Sequence, residues 1–333
     1  MSRKIVLVTG GAGFIGSNIV ADLCADGRWD VAVCDWLGPA EDNKWRNLAR
    51  HPIADFVAPE ALFDWLEGHS GEIEAVVHMG AVSSTTEPDA DRILHSNFTL
   101  SRDLWDWCAE NETRLIYASS AATYGDGGQG FTDADDFEAL QALRPLNAYG
   151  YSKYLFDLYA RRNADRGLAP RQWAGLKFFN VYGPNEWHKG GMMSVATRMW
   201  PRIQAGEAVQ LFTSHHPDYP DGGQMRDFVY VQDAADVVRW LLYRKDVCGI
   251  FNLGSGQARS FLDLVNALYA AAGKEPRIEF TPMPEVIRDK YQYFTEADML
   301  RLAAAGYNKP PTSLDAGIAD YVTRFLSQPD PYR

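Results

Sequence analysis

Ile5-Val6-Leu7-Val8-Thr9-Gly10-Gly11-Ala12-Gly13-Phe14-Ile15-Gly16 decides the fold of this chain. The aliphatic run predicts a buried strand over Lys4–Thr9, and the apolar pattern from Phe14 to Asp26 predicts a helix. A glycine-rich loop between a strand and a helix is the setting that the dinucleotide fingerprint requires. Small residues let the backbone approach a pyrophosphate, and the first amides of the helix face the anion. Gly10, Gly11, Gly13, Phe14, Ile15 and Gly16 are therefore candidate cofactor contacts. Asp35 ends the next strand, about 20 residues on, where a carboxylate accepts from the adenosine ribose. Lys44, Arg46 and Arg50 follow closely and could pair with a 2′-phosphate. These residues alone leave NAD and NADP both open.

Working outward, short β-branched runs alternate with helical patterns. Val31–Asp35, Ala75–Met79, Arg114–Ala118 and Ala174–Phe178 read as further buried strands, and Asp91–Glu110 and Tyr149–Arg166 as helices. The alternation predicts an α/β fold, a Rossmann-type doubly wound parallel sheet, with a smaller mixed α/β substrate-binding lobe. Residues 1–179 and about 227–257 are assigned to the dinucleotide domain. About 180–226 and 258–333 are assigned to the second lobe. Phe228–Val231 with Asp233–Tyr243 reads as a strand and helix returning to the first domain.

Composition narrows the function. Of 333 residues 46% are hydrophobic and 23% charged, ordinary for a globular protein. A net charge of −12 argues against nucleic acid or an anionic membrane as partner. Cys24, Cys34, Cys108 and Cys248 are scattered without metal-ligand spacing, so reduced thiols and no metal are expected. The first apolar run is too short for a signal peptide or membrane span, which points to a cytoplasmic protein.

Tyr149 and Lys153 stand four apart, so on a helix they share a face. A nearby ammonium favours the phenolate and moves the tyrosine toward a useful base. Ser120 closes the Arg114–Ala118 strand region and offers a hydroxyl to a carbinol or keto oxygen. Glycine and alanine in Met79-Gly80-Ala81-Val82-Ser83 leave room for a dinucleotide beside the strand end. His78 reads as a packed core histidine. Lys189, in His188-Lys189-Gly190-Gly191, reads by itself as an exposed surface lysine.

Together these stretches resemble the extended short-chain dehydrogenase/reductase family, which acts mainly on nucleotide sugars. The resemblance spans nearly the whole chain. It is carried by Ser83-Ser84-Thr85-Thr86-Glu87, Tyr117–Gly125, Pro145-Leu146-Asn147 before Tyr149–Lys153, His188-Lys189-Gly190 and Arg226–Val231. Within that family the chain is similar to enzymes that invert carbon 6 of an ADP-linked heptose for the lipopolysaccharide inner core. The resemblance implies Ser120, Tyr149 and Lys153 as catalytic residues and Lys189 as a second acid/base. It implies cofactor contacts from Gly10 to Ile15 and from Asp35, Trp36, Lys44, Met79 to Ser83, Asn97, Tyr149, Lys153, Val181 and Lys189. Substrate contacts are implied for Ser120, Asn180, Gly191, Arg198, Phe212, Thr213, Ser214, His215, Arg226 and Tyr291. The family's usual NADP favours that cofactor, and its habits imply a homo-oligomer, a pentamer. Met79, Pro59, Gly191, Arg198 and a longer 215–224 loop depart from the family pattern. The rival readings are a UDP-sugar 4-epimerase, which has no need of Lys189, and a non-catalytic NAD(P)-binding protein.

Overall fold

The computed structural model describes residues 3–85, 87–288 and 291–333, so Thr86 of the Ser83–Glu87 stretch lies outside the described residues. Strands β1 (Ile5–Thr9), β2 (Asp30–Cys34), β3 (Asp55–Val57), β4 (Ile73–His78), β5 (Arg114–Ser120) and β6 (Trp173–Phe178) come first. β7 (Asn180–Tyr182), β8 (Val209–Phe212), β9 (Met225–Tyr230), β10 (Gly249–Leu253), β11 (Ala258–Ser260) and β12 (Ile278–Thr281) follow. Seven of them form one sheet in the order β10-β6-β5-β4-β1-β2-β3. Every pairing in it is parallel. Such a sheet is covered on both faces, which explains why Val6, Leu7, Val8, Val76, Val77, Leu115 and Ile116 are all fully buried.

Seven longer helices matter here: α1 (Phe14–Asp26), α2 (Leu100–Glu110), α3 (Ala148–Asp165), α4 (Val195–Ala205), α5 (Val231–Tyr243), α6 (Phe261–Ala272) and α7 (Leu314–Tyr321). The helix expected over Asp91–Glu110 is interrupted. A turn of π-helix over His95–Thr99 separates Ala90–Leu94 from α2. Such bulges re-aim side chains near functional sites, and here the re-aimed residue is Asn97.

β9 does not enter the main sheet as the reading of Phe228–Val231 implied. It pairs parallel with β7 and antiparallel with β11. β10 makes the return instead, beside β6. The reason is burial: β10 is buried throughout, whereas β9 begins at the half-buried Met225 and Arg226. Its following helix, α5, does pack against the first domain, placing Ala234, Val238 and Leu241 in the core with Val8 and Ile19. A second apolar cluster joins Tyr182, Trp200, Ile203, Leu211, Phe228, Leu268 and Tyr321.

Candidate active site

Strand order reverses between β1 and β4, and ligands of such sheets lie at that crevice. Gly10 has φ +65°, and a Cβ there would stand 2.6 Å from the Gly80 nitrogen. A Cβ on Gly16 would stand 2.2 Å from the Gly10 carbonyl oxygen. The loops after β1 and β4 therefore touch, and α1 presses against the turn, only because these positions lack side chains. Gly13 opens α1 with no side chain capping it, which leaves the first amides free for an anion.

A relay of hydrogen bonds fixes the β4 side. The Gly80 amide donates to Thr9 Oγ1 at 3.2 Å, and Thr9 meets His78 Nδ1 at 2.6 Å. His78 Nε2 meets Ser101 Oγ at 2.9 Å, and Ser101 donates to the Asn97 carbonyl. Ser101's proton is thus spent, so Nε2–H is the donor and Nδ1 the acceptor of a neutral imidazole. Burial, helped by Lys153, lowers its pKa to about 3. Asn97 itself is fully buried. It accepts from the Val82 amide at 2.8 Å and donates to the Val82 carbonyl and Ser152 Oγ at 3.0 Å each. Its amide props the 79–83 loop against α3.

At the tip of β2, Asp35 accepts from the Ala12 amide at 3.0 Å and from Lys44 Nζ at 2.7 Å. Lys44 also donates to the Trp36 carbonyl at 2.6 Å, and the exposed Trp36 indole donates to Glu60 at 2.8 Å. Arg46 and Arg50 do not join this group. They pair with Asp330 at 3.0 and 2.6 Å, and the Arg46 guanidinium lies 4.4 Å over the Tyr332 ring. The two arginines share that single carboxylate at the surface, apart from Asp35 and Lys44.

α3 starts at the Asn147 cap, whose side chain accepts from the Gly150 amide at 2.8 Å. A Cβ on Gly150 would lie 2.7 Å from the Ala122 carbonyl oxygen, so this glycine lets the helix start abut the Ser120 turn. Ser120 Oγ accepts from the Ala122 amide at 3.1 Å, and its hydroxyl stands near enough to the half-buried Tyr149 phenol to act on it. Burial raises the Tyr149 pKa and Ser120 opposes it. Burial brings Lys153 down to about 8, with Asp157 opposing. At pH 7 it remains largely cationic.

Lys189 is half-buried rather than exposed, and its ammonium lies 4.9 Å over the Phe14 ring, beside the glycine loop. Burial lowers its pKa and Glu186 opposes that. Asn47 joins the same region, donating to the Ala12 carbonyl at 2.8 Å and to the Asn185 carbonyl at 3.2 Å. Val181 sits in β7, half-buried, in register with Val229, and Asn180 is exposed beside it.

In the second lobe, Arg226 lies between two rings, 5.2 Å from Tyr291 and 5.6 Å from Phe261. Phe212 meets Tyr291 edge-on at 6.5 Å. The Thr213 amide is held by Thr281, that of Ser214 by Asp221 and that of His215 by Tyr293. An open cavity of about 620 Å³ lies against Ser214–Asp221. Gly191 and Arg198 are solvent-exposed, the latter on α4.

A family model described as "NAD dependent epimerase/dehydratase family" matches residues 6–254. The chain belongs to the NAD dependent epimerase/dehydratase family. An ADP-L-glycero-D-manno-heptose-6-epimerase of Nitratidesulfovibrio vulgaris (Hildenborough) is 50% identical over 329 residues, 98% of this chain and 99% of its own. The structure of the Helicobacter pylori ADP-L-glycero-D-manno-heptose-6-epimerase superposes with a TM-score of 0.79 at 26% identity, covering 97% of this chain and 96% of that one. The Thermus thermophilus UDP-glucose 4-epimerase in complex with NAD gives 0.71 at 28% identity, covering 96% and 97%. Like other members of the epimerase/dehydratase family, this chain is an enzyme that works with a nicotinamide dinucleotide, and it is an epimerase. Its residues fit that cofactor: the glycines clear a backbone-lined groove, α1 offers free amides and Asp35 stands at the β2 tip. Among the described residues no group of His, Cys, Asp and Glu could hold a metal, and no helix is long and apolar enough to cross a membrane.

Two groups near this site escaped the sequence reading. Asp157 and Lys177 form a buried pair at 2.7 Å, and Lys177 also donates to Thr123 Oγ1 at 2.7 Å. Ser119 Oγ donates to Asp157 at 2.7 Å, and Thr123 to the Ser120 carbonyl at 2.8 Å. The spacing of Tyr149, Lys153 and Asp157 along one helix face was the available signal for the first partner. A lone lysine in the otherwise uncharged β6 was the signal for the second. Glu186 left no such mark.

Proposed function

We propose that this enzyme inverts carbon 6 of the heptose in ADP-D-glycero-D-manno-heptose to give the L-glycero epimer, by transient oxidation to a 6-keto sugar with bound NADP. The carbinol C–H is not acidic, so removing it as a proton is not a workable route. A bound dinucleotide supplies the acceptor that takes the hydride from carbon 6 and gives it back. Tyr149 removes the hydroxyl proton while Ser120 holds the same oxygen, and the C–O bond becomes a carbonyl. After the ketone presents its other face, the oxygen points away from Tyr149 and a second donor must return the proton. Lys189 fills that role, and Lys153 holds the cationic side of the Tyr149 pocket at neutral pH. Arg226 offers its planar fork to the diphosphate. On this reading, residues 1–179 and about 227–257 hold the dinucleotide, and the rest hold the sugar nucleotide.

The observation that carries the proposal is Lys189 over Phe14. It brings a second cation to the mouth of the glycine loop from a segment separate from α3. NADP is favoured because Lys44 offsets the charge of Asp35 and keeps an N–H beyond those given to Asp35 and Trp36. Dinucleotide released from purified protein and identified by mass spectrometry should be NADP, and NAD in large excess would overturn that choice. Tyr149→Phe and Lys189→Met should each keep cofactor and slow epimerisation by about 10²–10⁴-fold, the range for a positioned acid or base. With a 6-aldehyde analogue each should retain one half-reaction. Epimerisation by Lys189→Met at the wild-type rate would sink the two-base mechanism.

A further inference from the structure

The segment from Glu186 to Ser194 carries Lys189 and turns at Gly190, whose φ is +53°. Glu186 begins it and is fully buried. Its carboxylate accepts from the Ser194 amide at 2.6 Å and from the Ser194 and Thr197 hydroxyls at 2.5 Å each. Thr197 in turn meets the Tyr321 hydroxyl at 2.8 Å. The Lys189 amide donates to the Glu186 carbonyl at 3.0 Å. One residue thus ties the beginning of the loop to its end and to the first turn of α4.

These side-chain donors are neutral, and a buried carboxylate needs a cation nearby as well. Lys189 is the cation that acts on it. Burial pushes the Glu186 carboxyl up, and Lys189 leads the influences that pull it down. The other groups facing the pair are accounted for. The Phe14 ring meets the ammonium from α1. His188 is kept neutral, at about 4, by burial and by Lys44 and Lys189. The Tyr321 phenol is pushed up by burial and by Glu186, so it adds no charge.

We propose that Glu186 is the positioning residue of Lys189: it closes the 186–194 loop through Ser194 and Thr197 and so fixes where the ammonium is presented. The inference rests on the reading of Lys189 as the second acid/base. It explains how a lysine in a glycine-rich loop presents a fixed donor to the sugar.

The full chain with its cofactor, labelled with ¹³Cε-lysine, reads the Lys189 titration directly, the resonance being identified by its loss in Lys189→Met. In Glu186→Gln the midpoint moves to lower pH, because removing a neighbouring anion disfavours the ammonium. The kcat for epimerisation falls roughly 10- to 100-fold, the scale of a misplaced catalytic group, with KM changed less. Glu186→Asp keeps the charge, so it restores the midpoint while kcat stays low. Wild-type kcat in folded Glu186→Gln overturns the proposal. Should Glu186→Gln fail to fold, Ser194→Ala and Glu186→Asp decide, and wild-type kcat in both overturns it. Failure of the underlying reading is distinct, since Lys189→Met alone would then epimerise at the wild-type rate.

Discussion

Asp157 and Lys177 meet with side-chain exposures of 0% and 1%, so neither charge has water to fall back on. Their bond lies directly under Ser120, because Ser119 and Thr123 link it to the end of β5. Asp157→Asn leaves Lys177 buried and unpaired, and should cost about 3–5 kcal/mol in urea denaturation. A double variant with Lys177→Met removes both charges and should recover much of that loss. A cost below about 1 kcal/mol for the single change would mean that water or a rearrangement compensates Lys177. Asp157 also holds the Lys153 pKa up against burial. Lys153 should therefore titrate lower in Asp157→Asn than its present value of about 8.

At the scale of elements, the site is a set of close approaches between loops that belong to different strands. Gly10 against Gly80 joins the ends of β1 and β4, and Gly150 against Ala122 joins α3 to the turn after β5. Gly150→Ala puts a methyl against a backbone oxygen that cannot swing aside. The start of α3 must move, carrying Tyr149 away from Ser120. We expect folded protein with its dinucleotide retained and kcat lower by about 10²-fold, the scale of an ångström-sized misplacement. Wild-type kcat in Gly150→Ala would show that the two elements tolerate separation. The π turn at His95–Thr99 belongs to the same scale, since it faces Asn97 toward Val82 and Ser152 rather than along the helix.

For the whole molecule, three histidines make stability depend on acid, one of them His51, whose pKa is lowered chiefly by burial. His78 is held at about 3 and His188 at about 4, both below the ordinary 6.5. Between pH 6.5 and those values the unfolded chain binds more protons than the folded one, so this stability is present above 6.5 and is lost as pH falls. Glu186, with its carboxyl raised, works in the opposite direction. Urea unfolding from pH 7 to 5 should show decreasing stability, with a shallower slope in His188→Gln. An identical slope in that variant would remove His188 from the account. The sequence by itself determined what depends on neighbours along the chain. The strand, glycine loop and helix at 5–26 were legible because glycine placement is a local steric fact, and Tyr149 with Lys153 because helical spacing is local too. The short strands β3, β7, β8 and β11 were not read as strands, since three or four residues carry too little periodicity, and β10 was missed as well. Only the tertiary structure decided which charges are free to act. Arg46 stands two positions from Lys44, yet it pairs with Asp330, 284 positions away, which it shares with Arg50. Lys189 reads as a surface lysine until Phe14 and Glu186 enclose it. Pairing and burial set the strength and the availability of a charge, and both depend on contacts that sequence spacing does not encode.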